Sequence, residues 1–259
     1  MLRRLSATQA ARLIYLEAWD SGAIALDRGL EPEELAGSLL LRQARTLLQR
    51  LAVDEGVKLT TTGRFPRAYV DEMLDALGWR DHSRRTAGSS GKTLNEMDVW
   101  PLHVMRLLLE VARLTRKRKG RLHLTREGRR LLPPERAGEL LAVLFHAMFR
   151  DFNLAYFSYA RLGGHMQTQA VLTLYMIGCE ARDWISPEEL MRRSVVPDEE
   201  MLHAREGLAH HAFRARILGT LDWFGLIEKR RLPADPEWAS MSEVRTTPLF
   251  HRFLSFDIG

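Results

Sequence analysis

The chain has 259 residues, 46% hydrophobic and 27% charged, with 18 Gly, 10 Pro and a single Cys. That composition excludes a disordered or collagenous chain, and Cys179 alone excludes an intrachain disulfide or a multi-cysteine zinc site. The net charge of +5 is localised: residues 113–131 carry +8 and the remaining 240 residues −3, so one basic segment sits on a slightly acidic body.

Taken in chain order, the predicted elements are mostly helical. Apolar spacing near 3.6 predicts helices over 7–19 and 32–51. The second opens at Glu31-Pro32-Glu33-Glu34 and places Leu35, Leu39, Leu47, Leu48 and Leu51 on one face. Residues 56–63 read as a short β-branched strand, followed by a helix over 66–77. The polar stretch 80–95, rich in Ser, Gly and Arg, reads as a linker. Further helices are expected at 101–113, 134–162, 168–181, 187–194 and 198–223. Ser186-Pro187-Glu188-Glu189 is a capping box that starts the fourth of these. The apolar stretches 137–149 and 170–179 are shorter than a bilayer span, and no apolar leader follows Met1. The expectation is a soluble cytoplasmic chain that makes no membrane contact.

An internal repeat organises the rest. Leu59-Thr60-Thr-Thr-Gly63-Arg64 recurs as Leu124-Thr125-Arg-Glu-Gly128-Arg129, and more weakly as Val244-Arg-Thr-Thr247-Pro248-Leu-Phe250. The pattern is that of a strand ending at a Thr whose hydroxyl caps the next helix. Gly three positions after the Thr would let that helix lie close to the strand, and Phe250 replaces it in the third copy. Before two of the copies, Ala112-Arg-Leu114-Thr-Arg-Lys117-Arg118 aligns with Phe224-Gly-Leu226-Ile-Glu-Lys229-Arg230. Lys119-Gly120 then reads as a tight turn into Arg121-Leu-His-Leu-Thr125, an alternating hairpin strand. Helix, strand, turn, strand, helix is the winged-helix plan.

The Leu-Thr-x-x-Gly segments resemble the wing ends of MarR-type and other winged-helix proteins. Residues 58–66, 120–132 and 222–227 also resemble an uncharacterised bacterial region that accompanies the plasmid Ri open-reading-frame-3-like domain in some proteins. The likeness spans roughly residues 50–255. It implies a bacterial protein of repeated winged-helix units and brings no established activity with it. The open-reading-frame-3-like domain itself is not evident in this chain.

Gly88-Ser-Ser-Gly91-Lys92-Thr93 ends like a P-loop but has Thr86 where the first Gly belongs and no apolar strand before it. Glu199, His203, Glu206 and His210 share a helical spacing, but no second Glu-x-x-His and no His-Glu-x-x-His accompanies them, so they read as a solvated face. Cys179 lies in an apolar helix, and no Gly-x-Ser-x-Gly elbow occurs. No catalytic residue, metal ligand or cofactor is assigned, and the chain is read as non-enzymatic.

The resulting expectation is a mainly α fold of repeated winged-helix units with short β-hairpin wings and a helical connector. Its parts are an N-terminal helical unit with a first wing-like segment (1–79), a linker (80–100), a second winged-helix unit with the basic wing (101–132), the connector (133–166) and a C-terminal winged helix (167–259). DNA, or RNA, would be contacted by His103, Arg106 and Arg113 on the helix before the wing and by Arg116, Lys117, Arg118, Lys119, Arg121, Arg126, Arg129 and Arg130 on and beyond it. About five engaged phosphates would give a log–log salt slope near −4.5. The alternative is a protein-interaction or assembly module, binding a protein partner or a second copy through the winged-helix surfaces and the aromatic run Phe145, Phe149, Phe152, Tyr156, Phe157 and Tyr159.

Overall fold

Side-chain caps fix where several helices begin. In the computed structural model, which describes residues 5–53, 56–79, 94–157, 164–205, 207–233 and 241–259, the Ser6 hydroxyl accepts the Gln9 N–H at 3.2 Å and opens α1 (Ala7–Ile14). A short strand, β1 (Ile24–Leu26), follows. Residues 80–93 of the expected linker, the whole of the P-loop-like segment, Tyr159 and Glu206 lie outside the described residues. The chain divides into two compact units: a central one, Leu40–Ala147, and a terminal one made of Met1–Leu39 and Met148–Gly259.

The central unit runs α2 (Leu39–Val53), β2 (Val57–Lys58), α3 (Arg67–Ala76), α4 (Trp100–Val111), β3 (Thr115–Arg118), β4 (Arg121–Leu124), α5 (Arg126–Arg130) and α6 (Ala137–His146). Its antiparallel sheet has the order β2-β4-β3. Lys119 and Gly120 take φ values of 49° and 71°, the left-handed pair that a two-residue hairpin turn needs. The turn sets the register Arg118↔Arg121, Lys117↔Leu122, Arg116↔His123, Thr115↔Leu124. Alternation then buries Thr115, Leu122 and Leu124, and Leu47, Leu48, Leu51, Val70, Met73, Val104 and Leu108 of the helices are buried as well.

The terminal unit contains α7 (His165–Thr168), α8 (Ala170–Glu180), α9 (Pro187–Ser194), α10 (Glu199–Leu202), α11 (Leu208–Phe213), α12 (Gly219–Phe224), β5 (Ile227–Arg230), β6 (Glu243–Thr246), α13 (Pro248–Phe253) and β7 (Leu254–Phe256). β5 pairs with β6, Ile185 bridges to Val244, and β1 pairs with β7. Phe149, Phe213, Phe224, Phe250 and Phe253 form its aromatic core. Ser186 caps α9 and Thr247 caps α13, as their sequences predict.

Several expected elements are rearranged. The 7–19 helix stops at Tyr15, whose backbone is extended, and resumes as one 3-10 turn, Leu16–Trp19. Residues 32–37 form turns and α2 starts only at Leu39; this lets the Gly37 carbonyl lie where a Cβ on Gly225 would come within 2.5 Å of it. Of the expected 134–162 helix, the described part is a 3-10 turn (Pro134–Arg136), α6, a π turn (Ala147–Asp151) and a 3-10 turn (Leu154–Phe157), and residues 158–162 lie outside the described residues. The 198–223 helix is interrupted between His203 and Leu208, with Gly207 at φ 79°.

The first wing-like segment is not a hairpin of its own. Val57 and Lys58 pair with Leu122 and Arg121, so β2 is the third strand of the basic hairpin's sheet. Thr60 does not cap α3; its N–H donates to the Arg64 carbonyl at 2.8 Å and its hydroxyl accepts the Arg64 N–H at 3.1 Å, closing a turn. Among the described residues, no helix is long and apolar enough to cross a membrane.

Candidate nucleic-acid interface

The basic hairpin is built so that its two strands and the following helix share one groove. Thr125 accepts the Gly128 N–H at 3.0 Å and starts α5, while its hydroxyl donates toward the Arg113 and Leu114 carbonyls at 2.8 and 3.0 Å. A Cβ on Gly128 would stand 2.3 Å from the Leu114 oxygen. Only glycine therefore lets α5 press onto the start of β3, and that approach brings Arg126 and Arg129 beside the strands. Period-2 alternation puts Arg116, Arg118 and, across the ladder, His123 on the same face. Arg116, Arg118, His123, Leu124, Arg126 and Arg129 line one open groove of about 330 Å³.

Arg116, Arg118, Arg126 and Arg129 are exposed, and among the described residues none of their side chains makes an ion pair or hydrogen bond. Arg113 and Lys119 are also exposed and unpaired in the same sense. Lys117 meets Glu110 at 3.3 Å, and Arg121 donates to the Gly56 carbonyl. Arg130 is held by Glu127 and Glu139, both at 2.7 Å. Hydrogen bonding from Arg130 keeps both of those carboxyls below their ordinary range. Arg130 is thus neutralised in place, while four arginines around the groove are not.

His103 and Arg106 do not belong to this surface. Their 3-4-3 spacing with Glu110 and Arg113 predicts a polar stripe, but they are 5% and 3% exposed. Both converge on Glu96, itself 1% exposed: His103 Nδ1 lies 2.6 Å and Arg106 Nε 2.9 Å from Glu96 Oε1, and the Phe65 N–H donates to Oε2 at 2.6 Å. Burial pushes the Glu96 carboxyl up, but the His103, Phe65 and Arg106 interactions outweigh it and hold it below the ordinary range. Arg106 also pairs with Glu110. Helix α4 consequently spends its polar residues on internal pairing, and Leu102, Val104, Met105, Leu108 and Leu109 are buried with them.

The residue that sequence reading missed is His123. The signal was present: a two-residue turn at 119–120 fixes the register that sets His123 opposite Arg116. Of the aromatic run, Phe145, Phe149 and Phe152 are core residues, whereas Tyr156 is 42% exposed. Glu199 opens α10, His203 caps its end and His210 lies on α11, a separate helix. Among the described residues, no group of three His, Cys, Asp or Glu side chains could hold a metal ion.

Residues 36–139, which span the whole basic hairpin, match the Y4jL N-terminal domain. The chain is 33% identical over 106 residues, 41% of its length, to the uncharacterized protein y4jL of Sinorhizobium fredii (strain NBRC 101917 / NGR234). The alignment spans 46% of that relative. An uncharacterised bacterial region is therefore supported for this part of the chain. No solved structure matches it.

Proposed function

We propose that the central unit is a winged helix that binds nucleic acid, DNA foremost, through phosphate contacts at its basic hairpin, and that this role is non-enzymatic. The order α2, β2, α3, α4, β3, β4 with sheet order β2-β4-β3 supports the winged-helix assignment. The terminal unit supports a second copy: α8, the Ile185 bridge, α9, the helical run from Leu208 to Phe224, β5 and β6 follow the same order.

The observation that carries the functional reading is the groove with four exposed, unneutralised arginines. Guanidiniums present paired N–H donors that fit phosphate oxygens. A helix before the wing reads bases when its polar side chains face outward; α4 instead buries His103 and Arg106. Phosphate contacts without base contacts give affinity and register but little sequence preference.

The test is fluorescence anisotropy with two unrelated duplex DNA sequences, single-stranded DNA and RNA over a salt series. On hydroxyl-ended probes, four arginines on four internal phosphates predict micromolar binding, a log–log slope of about −3.6 and equal affinity for the two duplexes. Absence of binding to all four probes at low salt would remove the proposal.

A further inference from the structure

Arg116 and Arg118 are two residues apart on one strand, about 6.8 Å along it, and Arg126 and Arg129 are one helical turn apart on α5. All four line the same hollow, together with His123 and Leu124. An internal phosphodiester brings one negative charge and two terminal oxygens. A terminal phosphomonoester brings a charge of about −1.5 to −2 and three strong acceptor oxygens. Each guanidinium can donate two parallel N–H bonds to such oxygens. Four of them on one hollow therefore offer more donors and more charge than one diester can use, whereas a monoester dianion matches them better. Spreading the same cations along a strand would serve a run of diesters; here the outlying exposed cations of the sheet include Lys58 on β2, Lys119 at the turn and Arg113 before β3.

Building on the nucleic-acid reading of this groove, we infer that it seats the terminal phosphomonoester of a nucleic-acid strand. Arg116, Arg118, Arg126 and Arg129 hold the dianion, and Lys119 meets the internal phosphates that lead away from it. The hairpin is then an end-binding element, and strand ends carrying phosphate are its preferred ligands.

The experiment uses the full chain and a short labelled duplex whose unlabelled ends carry a 5′-phosphate, a 3′-phosphate or only hydroxyls, read by anisotropy. At least one phosphate-bearing duplex should bind about tenfold tighter than the hydroxyl-ended one. That advantage should vanish in Arg126→Ser/Arg129→Ser, whose exposed side chains can be removed with the fold retained, as circular dichroism melting would verify. Equal binding of all three duplexes with a steep salt slope would overturn the end-binding inference and leave the phosphate-contact reading standing. Loss of binding to every probe would overturn both. An end-phosphate advantage that survives in the variant would place the site elsewhere and also overturn the inference. Inorganic phosphate should fail to displace the phosphate-ended duplex at equal concentration; displacement would make free phosphate, not a strand end, the ligand.

Discussion

The hairpins of the central and terminal units share a frame and differ in charge. In both, a helix ends in a left-handed residue, Arg113 at φ 57° or Gly225 at φ 76°, and a Thr after the second strand caps a short helix. The N–H of that Thr donates to the carbonyl of Leu114 in one unit and Leu226 in the other, each at 3.0 Å. The registers superpose, 116↔123 on 228↔245 and 118↔121 on 230↔243. In the terminal hairpin those positions are Glu228 opposite Arg245 and Arg230 opposite Glu243, both ion-paired, with Lys229 held by Asp222 at 2.6 Å. Arg230 and Arg245 also lie 4.4 and 4.6 Å from the Trp184 ring centroid. In the central hairpin they are Arg116 opposite His123 and Arg118 opposite Arg121. A like-charged cross-strand pair is unfavourable. On the proposed reading, a bound external anion would offset that repulsion.

Breaking the central unit's internal charges should have the largest effect. Glu96→Gln leaves Arg106 buried beside Glu110 alone and should destabilise the central unit by about 3–5 kcal/mol in denaturant unfolding. Because the folded Glu96 carboxyl lies below its ordinary value of 4.5, its stabilisation is complete above that pH and is lost as pH falls through the lower folded value. The variant should lack this acid-side loss. Persistence of the loss in Glu96→Gln would assign it to another carboxylate.

The residue three positions after each capping Thr offers a sharper contrast. Phe250 packs on Gly178, where a Cβ would be 2.9 Å from its ring, and Phe250→Ala should lower stability by about 3–5 kcal/mol. Gly128→Ala should lower it by about 1–3 kcal/mol for the opposite reason, overlap with the Leu114 carbonyl. Thermal melts of the two variants would show whether adding and removing atoms at equivalent positions both destabilise.

The smallest stability effect carries the most pointed prediction. Arg118→Glu creates an ion pair opposite Arg121 like the terminal unit's Arg230–Glu243, with the charges exchanged between strands, and should leave stability unchanged or raise it by about 0.2–1 kcal/mol. The same change should sharply weaken nucleic-acid binding. A loss of both together would mean that Arg118 serves the fold.

Local features were legible in the sequence because their causes are local. The Lys119-Gly120 turn, the Thr125, Ser186 and Thr247 caps and the Gly128 approach each follow from a few adjacent residues. What escaped depends on distant partners. Nothing near Val57 announces that it pairs with Leu122, and nothing on α4 announces that Glu96 waits for His103 and Arg106. The same spacing that reads as an outward stripe serves equally as an inward one when a buried carboxylate faces it. His123 joins the groove through strand register, and Arg126 and Arg129 join it through a contact that glycine permits.

The central claim, that the central hairpin binds phosphate and the terminal one does not, is tested most directly by pairing two variants in one duplex-DNA titration. One carries Arg116, Arg118, Arg126 and Arg129 changed to Ser, the other Lys229, Arg230 and Arg245 changed to Ser. The account predicts that the first loses most of the affinity and flattens the salt slope, while the second binds like the parent. Equal losses in the two variants, or a loss only in the second, would contradict it.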